Sequence, residues 1–330
     1  MRAISYTRFG KARDVLAMTQ CASPDPGAGE VCVALAFSGV NPSDVKARAG
    51  ARPGVTKPPF EQIIPHSDGS GTILSVGAGV DPARIGQRVW IWNGQWQRAF
   101  GTAATHITLP SAQAVELPDH VSFETGAVLG IPGLTAAHTV FGNGNVTGQT
   151  VLIQGGAGTV GFLAVQLAKW GGARVIATAR GAGIQRCKDA GADVVLDYTA
   201  PDLAEQILAA NAGQPLQRIV EVEFGRNIDT DTAIIAPNGV IAAYGSAAEM
   251  TPRLAFGPLL FKAVTIDIVL IYLLADTARA AAIARLHGAL RDGALECPVQ
   301  SIHALSQTAQ AHESVENGGR DGAVLIDVTK

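Results

Sequence analysis

The chain has few cysteines, little charge and no long apolar run. Its four cysteines, at positions 21, 32, 187 and 297, form no C-x-x-C pair and have no neighbouring histidine. Disulfide frameworks and zinc sites need clustered ligands, so we expect buried or half-buried thiols instead. No apolar run reaches the roughly 18 residues that span a bilayer. The first residues also lack the apolar core of a signal peptide, which favours a cytoplasmic protein.

The charge balance excludes a strongly basic or acidic protein. Charged residues make up 16% of the chain and hydrophobic residues 47%, with a net charge of −3. This balance gives no electrostatic reason to expect nucleic-acid or acidic-membrane binding. A length of 330 residues predicts about two domains, and the sequence shows no repeat, low-complexity segment or linker.

The most informative stretch is a glycine cluster that follows an apolar run at 151–153 and precedes a helical pattern to residue 168. It reads Gly156, Ala157, Gly158, Thr159, Val160, Gly161. In a G-x-G-x-x-G fingerprint the first glycine permits a tight turn, the second lets the backbone approach a pyrophosphate, and the third lets the helix pack closely. A second apolar strand at 174–179 completes a β-α-β unit and predicts a nucleotide site. The alternative is a plain strand-turn-helix in a glycine-rich chain.

The two parts of the chain have different patterns. Residues 1 to about 124 are predicted to be β-rich, with strands at 31–37, 71–77, 88–92 and 106–110 and a loop at 50–59. From Ser122, a possible helix N-cap, helices and strands alternate, which predicts a parallel doubly wound sheet. The strands are expected at 192–198, 218–223, 239–245 and 322–328, and the helices at 202–210, 228–235 and 276–291. The apolar stretch 264–274 is either an edge strand that pairs across a dimer or an internal strand.

Several stretches together resemble the medium-chain dehydrogenase/reductase superfamily, in particular its zinc-free quinone oxidoreductase, or zeta-crystallin-like, branch. The matching stretches are 39–44 (GVNPSD), 64–71 (IPHSDGSG), 130–136 (GIPGLTA), Gly245-Ser246 and 311–313 (AHE). The resemblance implies an α/β fold in which a Rossmann doubly wound parallel sheet is inserted in a GroES-like β-rich catalytic domain. The catalytic domain would comprise 1–124 and 269–330, and the Rossmann domain 125–268. It also implies an active cleft between the domains, and a dimer or tetramer.

The residues that follow the second strand predict NADPH as the cofactor. Arg180 stands where an acidic residue would favour NAD, and its guanidinium suits a 2′-phosphate. Thr178 adds a hydroxyl, and Tyr198 resembles a family tyrosine near the adenosine phosphate. Alternatively, Arg180 is a solvated loop cation and Tyr198 is a buried strand-end residue. By resemblance, Asn41, Thr135, Gly245 and Ser246 would lie near the nicotinamide and its ribose.

Zinc ligands are missing where the zinc enzymes of the superfamily carry them. The stretch 38–44 contains no cysteine, and His66 replaces a glycine that is usual in this branch. A lone histidine is a poor zinc ligand set, so we expect no metal, and expect His66 to pack or to hydrogen-bond a loop. Without a Lewis acid, hydride acceptors must already be electron-poor, which favours quinones and α,β-unsaturated carbonyls. The predicted activity is that of an NADPH:quinone or enone oxidoreductase.

Three polar residues on one predicted loop are the catalytic candidates. Asn41 can donate to a developing oxyanion, and Asp44 is expected to order the loop. Lys46 resembles the lysine of relatives that reduce enones, and either donates to the enolate oxygen or is solvated. The aromatic stretch 92–100 either lines a pocket for a flat acceptor or packs within its loop.

The predicted partners are a small quinone or enone substrate and a second copy of the chain, with no nucleic acid and no membrane. The alternative function is an NADPH-binding structural or RNA-binding protein of the zeta-crystallin type with little turnover, which the absence of a basic surface disfavours. A zinc alcohol dehydrogenase is a more distant alternative.

Overall fold

The structure is a computed structural model that describes residues 1–23, 25–51 and 54–330. Arg52 and Pro53, part of the predicted 50–59 loop, therefore lie outside the described residues. The chain forms two compact units, one of Met1–Ile131 with Cys297–Lys330 and one of Pro132–Glu296. Both junctions lie later in the chain than predicted. The second junction follows the last long helix because that helix packs on the second unit.

The strands of the two units, in chain order, are β1 (Arg2–Ser5), β2 (Ala17–Gln20), β3 (Glu30–Val40), β4 (Asp68–Val76), β5 (Arg88–Ile91), β6 (His106–Pro110), β7 (Ala114–Glu116), β8 (Thr150–Ile153), β9 (Arg174–Ala179), β10 (Val194–Asp197), β11 (Leu216–Glu221), β12 (Ile235–Ala243), β13 (Thr265–Ile268), β14 (Val299–Ala304) and β15 (Ala323–Asp327).

The α-helices are α1 (Ala12–Val15), α2 (Pro42–Ala49), α3 (Phe123–Gly126), α4 (Leu134–Phe141), α5 (Thr159–Trp170), α6 (Gly183–Asp189), α7 (Leu203–Ala210), α8 (Phe224–Ile234), α9 (Phe256–Phe261), α10 (Asp276–Arg291) and α11 (Thr308–Glu316). None of the helices in the described residues is long and apolar enough to cross a bilayer.

The first unit is built on a mostly antiparallel sheet with the order β14-β15-β3-β4-β5-β7, and β6 also pairs with β3. Strand β3 contributes alternate side chains to the core, because Val31, Val33 and Leu35 point to one face of the sheet and are buried. They pack with Leu109 of β6 and Val324 of β15 in one apolar cluster. The β-rich character predicted for this part of the chain is confirmed.

The second unit contains a parallel sheet with the order β10-β9-β8-β11-β12-β13. Val151, Leu152 and Ile153 of the central strand β8 are fully buried, as expected for a sheet covered on both faces. The chain extends the sheet from β8 to β10 in one direction and then returns to add β11 on the other side of β8. In such sheets ligands bind at the carboxyl end of the strands, at this reversal point. The predicted doubly wound fold is confirmed, and the 264–274 stretch supplies the edge strand β13.

One local prediction is wrong. The stretch with Asn41, Asp44 and Lys46 is helix α2 rather than a loop. Asn41 caps the helix in an extended conformation, Pro42 occupies the first turn, and the Asp44 carboxylate accepts the Asn41 backbone N–H at 2.8 Å. Gly50 ends the helix with a φ of +75°. Asparagine, proline and glycine also favour turns, which is why this stretch was predicted to be a loop.

Candidate functional site

The glycine loop lies between β8 and α5, as predicted. Its left-handed residue is Gly155, with a φ of +66°. The tight turn out of the strand is therefore made one residue before the fingerprint, and not by Gly156 as predicted. Gly156 instead provides a close approach, because a Cβ there would lie 2.9 Å from the sulfur of Cys187 and 3.0 Å from the Cβ of Ala177.

The other two glycines differ in what surrounds them. A Cβ on Gly161 would lie 2.3 Å from the Gly155 carbonyl oxygen, so helix α5 approaches the loop too closely for any side chain. A Cβ on Gly158 would meet only the Gly155 oxygen, at 3.5 Å, which is an ordinary contact. Gly158 is also the N-cap of α5 and contributes no capping side chain. The backbone amides of the first turn, with the positive end of the helix dipole, thus form a cradle that suits a pyrophosphate.

Arg180 and Tyr198 are neighbours at the same edge of the sheet. Each follows directly on one of the paired strands β9 and β10, and Asp197 of β10 is in register with Ala179 of β9. Both side chains are exposed, and the Arg180 guanidinium carbon lies 5.8 Å from the centroid of the Tyr198 ring. The structure therefore brings together the two residues predicted to contact the adenosine end of the cofactor. It also places Tyr198 outside the core.

Thr178 does not have the predicted position. It is 1% exposed, and its hydroxyl accepts from the Gly155 N–H at 3.1 Å and donates to Gln154 Oε1 at 2.7 Å. Both hydrogen bonds of the hydroxyl, as acceptor and as donor, go to residues at the start of the glycine loop. Thr178 therefore supports this loop rather than facing a 2′-phosphate.

The remaining predicted cofactor residues of this unit lie on other elements. Ser246 follows β12, and its hydroxyl accepts from the Gly225 N–H at 2.8 Å and donates to the Glu249 carbonyl, which ties two turns together. Gly245 precedes it, and a Cβ there would lie 2.4 Å from the Val222 carbonyl oxygen. Thr135 is buried near the start of α4.

In the first unit, Asn41 and Asp44 lie together at the start of α2 with a third residue, Asp68 of β4. The Asn41 side-chain amide donates to Asp68 Oδ2 at 2.8 Å, and Asn41, Asp44 and Asp68 are all buried. Burial raises the pKa of Asp68 well above its usual value, and the nearby Asp44 charge adds to this shift. The contact with Asp68 uses one N–H of the Asn41 amide and fixes the orientation of that amide.

Lys46 is separated from this cluster. It lies on the exposed face of α2, whereas Asp44, Val45 and Arg48 form the buried face. The geometry agrees with the solvated alternative for this lysine.

His66 makes hydrogen bonds within a buried chain of polar groups below Asp68. Its Nδ1 lies 2.9 Å from Ser38 Oγ, which lies 2.8 Å from Thr102 Oγ1, and its Nε2 lies 2.8 Å from Nε2 of His312. Since Thr102 donates to the Asp68 carbonyl, Ser38 must donate to Thr102 and His66 Nδ1 must donate to Ser38. His66 Nε2 is then the acceptor for His312, and both rings are neutral.

Burial has a large effect on this histidine pair. It lowers the pKa of His66 to about 3. The pKa of His312 is also lowered well below its usual value, first by burial and then by His66 and Arg48. His66 has a φ of +77°, a conformation that favours glycine, the residue that the family resemblance implies at this place.

The aromatic stretch 92–100 packs back onto the residues around His66. Gly94 donates its N–H to the Ser67 carbonyl at 2.9 Å, and Gly101 donates to Ile64 at 2.8 Å. Trp92 and Trp96 are half-buried. These contacts favour the packing alternative over an open aromatic pocket.

Zinc needs several nitrogen, sulfur or carboxylate ligands at one point. Within the part of the chain that the structure describes, no three His, Cys, Asp or Glu residues come together in a group that could hold a metal ion. His66 and His312 supply two nitrogens, but these bond to each other. The residues present thus do not fit a zinc site.

Sequence reasoning missed four buried residues at these sites. Asp68 was visible inside the 64–71 motif but had no assigned role. Gln154, Glu221 and Asp231 lie beneath the glycine loop, and no motif marks them because they come from separate elements. Gln154 and Glu221 are polar residues at the ends of apolar strands, which is a weak sequence signal. Asp231 lies on a helix with several other polar residues, so nothing in the sequence distinguishes it.

Comparisons with known proteins agree with this geometry. Two family models match the chain, "Alcohol dehydrogenase GroES-like domain" over residues 27–119 and "Zinc-binding dehydrogenase" over residues 159–287. A quinone oxidoreductase of Rattus norvegicus is 26% identical over 333 residues, which cover 99% of this chain and 97% of the relative. A 2-methylene-furan-3-one reductase of Solanum lycopersicum is 28% identical over 268 residues, covering 77% and 68% of the two chains. A mycobacterial protein solved in complex with NADPH is 28% identical, has a TM-score of 0.86 and is covered to 99%, as is this chain.

Proposed function

We propose, since this chain belongs to the quinone oxidoreductase branch of the medium-chain dehydrogenase/reductase superfamily, that it is an NADPH-dependent oxidoreductase of quinones or α,β-unsaturated carbonyls. The observation that carries the proposal is the edge of the parallel sheet. There the glycine loop, the first turn of α5 and the Arg180–Tyr198 pair lie at the carboxyl ends of adjacent strands. This arrangement suits a dinucleotide with an additional phosphate on its adenosine ribose.

Each residue of this edge has a separate task in binding. The amides of residues 159–161 in the first turn of α5 hold the pyrophosphate, and Gly158 leaves room for it. Arg180 holds the 2′-phosphate with charge-assisted hydrogen bonds, and the Tyr198 ring lies beside it. NADPH, when bound, supplies the hydride.

Asn41 is the proposed substrate-facing residue of the first unit. Its amide is oriented by Asp68, and its backbone is fixed by Asp44, so its remaining N–H can donate to an oxygen that gains charge. Asp44 and Asp68 act as positioning residues, and the proton that completes the reduction comes from solvent. The mechanism uses no zinc, because the donor set fits none and because quinones and enones spread the incoming charge through their own π system.

Removing the Arg180 side chain is expected to change the cofactor preference. In Arg180→Ala, NADPH binding should weaken by about ten- to a hundredfold, because a charge-assisted hydrogen bond contributes about 1.5–3 kcal/mol. NADH binding should stay nearly constant, since NADH lacks the phosphate. Both dissociation constants can be measured by titration calorimetry.

A control separates this contact from a general loss of positive charge. Lys188 is an exposed lysine on α6 of the same unit, and Lys188→Ala should bind both nucleotides like the parent. Equal weakening of NADPH and NADH by the Arg180 exchange would contradict the assigned role.

The second unit also exposes five large apolar side chains on α9, on the edge strand β13 and shortly after it, namely Phe256, Leu260, Phe261, Ile268 and Leu273. These side chains are between 57% (Leu260) and 90% (Phe261) exposed, and Ile268 ends the edge strand β13. Large exposed apolar patches and open sheet edges favour association. We propose a homodimer in which the β13 edges of two copies meet.

Two charged residues at these positions should separate the dimer. In Ile268→Lys combined with Phe261→Asp, the mass in solution should fall from that of two chains to that of one, as measured by light scattering during gel filtration. NADPH affinity should change little. Leu74→Lys is the matched control, because Leu74 is 49% exposed on β4 of the other unit. A parent protein that is monomeric at micromolar concentration would contradict the proposal.

An acceptor screen tests the function itself. NADPH and NADH oxidation should be followed with quinones, enones and 2-alkenals, with electron spin resonance to detect one-electron products. We expect turnover with NADPH on at least one of these classes. No turnover on any of them, together with salt-sensitive RNA binding that NADPH displaces, would favour the structural or RNA-binding alternative.

A further inference from the structure

A buried chain of polar side chains runs beneath the reversal point of the parallel sheet. It begins at the glycine loop, where the Gly155 N–H donates to Thr178 and Thr178 donates to Gln154 Oε1 at 2.7 Å. The Gln154 amide nitrogen then donates to Asp231 Oδ1 of α8 at 3.2 Å. Because the Thr178 hydroxyl has only one proton, this direction also fixes which way the Gln154 amide points.

The chain continues from Asp231 to Glu221 at the end of β11. The two carboxyl groups lie within hydrogen-bond reach of each other, and both residues are 0% exposed. Glu221 already accepts from the Glu223 backbone N–H and from the Asn227 amide, at 3.1 and 3.2 Å for its two oxygens. Asp231 Oδ2, in contrast, is buried and receives no hydrogen bond from the described residues.

Two facing carboxylates without a proton would repel each other in this buried site. Gln154 donates to Asp231 Oδ1 and the other donors go to Glu221, so Asp231 Oδ2 is satisfied only when it carries a proton and donates it to Glu221. Burial and the Glu221 charge raise the pKa of Asp231 well above its usual value, which also favours a protonated Asp231. Burial also raises the pKa of Glu221.

The far end of the chain is a second loop of the proposed cofactor site. Glu221 holds the Glu223 amide, and the Glu223 carboxylate accepts from the Ala248 N–H at 2.6 Å. The next amides, of Phe224 and Gly225, donate to the Gly245 carbonyl and to the Ser246 hydroxyl. One directed network therefore connects the glycine loop with the Gly245–Ser246 turn.

We propose that Asp231 and Glu221 share one proton and act as a positioning pair that holds these two nucleotide-binding loops in register. The proposal rests on NADPH being the cofactor. Loss of the proton breaks the link between the loops and adds a negative charge near the bound phosphates. NADPH affinity should therefore fall with rising pH, by up to about tenfold per pH unit above the pKa of the pair.

Two other titratable groups, Glu223 and Tyr244, interact with the pair. Glu223 faces Glu221 from the turn after β11, and Tyr244 faces it from the end of β12. Burial and the Glu221 charge raise the pKa of Tyr244, so it stays neutral over the range in which the pair titrates. Asn227 and Gln154 are neutral donors.

The exchange Asp231→Asn tests the pair because an amide copies the protonated acid. Its NH₂ can donate to Glu221 and its oxygen can accept from Gln154, but it has no titratable proton. NADPH dissociation constants should be measured by fluorescence from pH 6 to pH 9. We expect D231N to match the parent at the low end of this range and to keep its affinity at the high end. Asp229→Asn, an exposed aspartate on the same helix, should follow the parent profile.

Infrared spectroscopy of the protein without nucleotide provides an independent readout. At neutral pH, the spectrum of the parent minus that of D231N, and minus that of Glu221→Gln, should each show the carbonyl band of a protonated carboxylic acid. The contribution of Asp68, whose pKa burial also raises, cancels in these differences. In E221Q the introduced amide donates to Asp231, so the aspartate can ionise.

The outcomes separate the two proposals. If the parent does not bind NADPH, the proposed function fails, while the infrared band still tests the shared proton. If the parent binds NADPH but D231N has the same pH profile, or if the difference spectra lack the band, the positioning pair is wrong.

Discussion

Alanine at position 158 is expected to weaken NADPH binding while leaving the protein without nucleotide as stable as the parent. Gly158 has an ordinary helical-cap backbone with a φ of −70°, and a Cβ there would meet only the Gly155 oxygen at 3.5 Å. The added methyl group therefore fits the folded chain. It occupies the space through which the pyrophosphate would approach the amides of α5.

The size of the effect is that of crowding, because the added methyl group would overlap the bound pyrophosphate. Such overpacking costs about 1–3 kcal/mol, which corresponds to about a five- to 150-fold weaker NADPH complex. Titration calorimetry measures the affinity, and urea denaturation in the absence of nucleotide measures the stability.

Alanine at position 161 is the matched comparison, because it should have the opposite pattern. Its Cβ would lie 2.3 Å from the Gly155 carbonyl oxygen and 2.8 Å from the Gly156 Cα, both backbone atoms. G161A should therefore lower the free energy of unfolding even without nucleotide. If G158A binds NADPH like the parent, the glycine loop is not the pyrophosphate site.

Acidification should destabilise the protein through His66. The ordinary histidine pKa of 6.5 applies to the unfolded chain, whereas burial lowers the pKa to about 3 in the folded chain. Between these values the unfolded state binds more protons, so the free energy of unfolding decreases as the pH falls below about 6.5. At pH 5 the loss from His66 alone is about 2 kcal/mol, since one pKa unit corresponds to about 1.4 kcal/mol. His312, whose pKa is also lowered, acts in the same direction.

The exchange His66→Asn tests this assignment, because asparagine tolerates the positive φ of this position. H66N should be less stable than the parent at pH 7.5, since Ser38 and His312 lose a partner. Between pH 7.5 and pH 5, however, the free energy of unfolding of H66N should fall by about 2 kcal/mol less than that of the parent. Urea denaturation at both pH values gives the difference.

His120 provides the control for this measurement, because it is exposed. H120N should reproduce the pH dependence of the parent. Parallel stability curves for the parent and H66N would mean that His66 is not the buried neutral group described above.

Elements with a strong local pattern were predictable from the sequence. Strand β9 and helix α10 have the predicted limits, because a short segment rich in β-branched residues and a long alanine-rich helical pattern each specify one structure. The superfamily was also predicted correctly, since its motifs are spread over the whole chain. Helix α2 was missed because it begins with Asn41 and Pro42, which also start turns, and its cap depends on one carboxylate contact.

The site was predictable only where a residue's neighbours in sequence are also its neighbours in space. The glycine loop meets this condition, and Arg180 and Tyr198 follow from the pairing of β9 with β10. The inward orientation of Thr178 depends on Gln154, and Asp231 of helix α8 has its partner, Glu221, at the end of strand β11. His66 and His312 are 246 residues apart in the chain but share a hydrogen bond of 2.8 Å. Such contacts arise from tertiary packing, which a local pattern does not encode.

Stereospecific loss of deuterium from the cofactor tests the central claim most directly. NADPH deuterated at either face of nicotinamide C4 should be oxidised with the acceptor that gives the fastest turnover, and the mass of the NADP⁺ formed should be measured. Direct hydride transfer in a fixed site predicts that one labelled form loses all of its deuterium and the other keeps it. A mixture from both forms, or no oxidation of NADPH with any quinone or enone, would contradict the account.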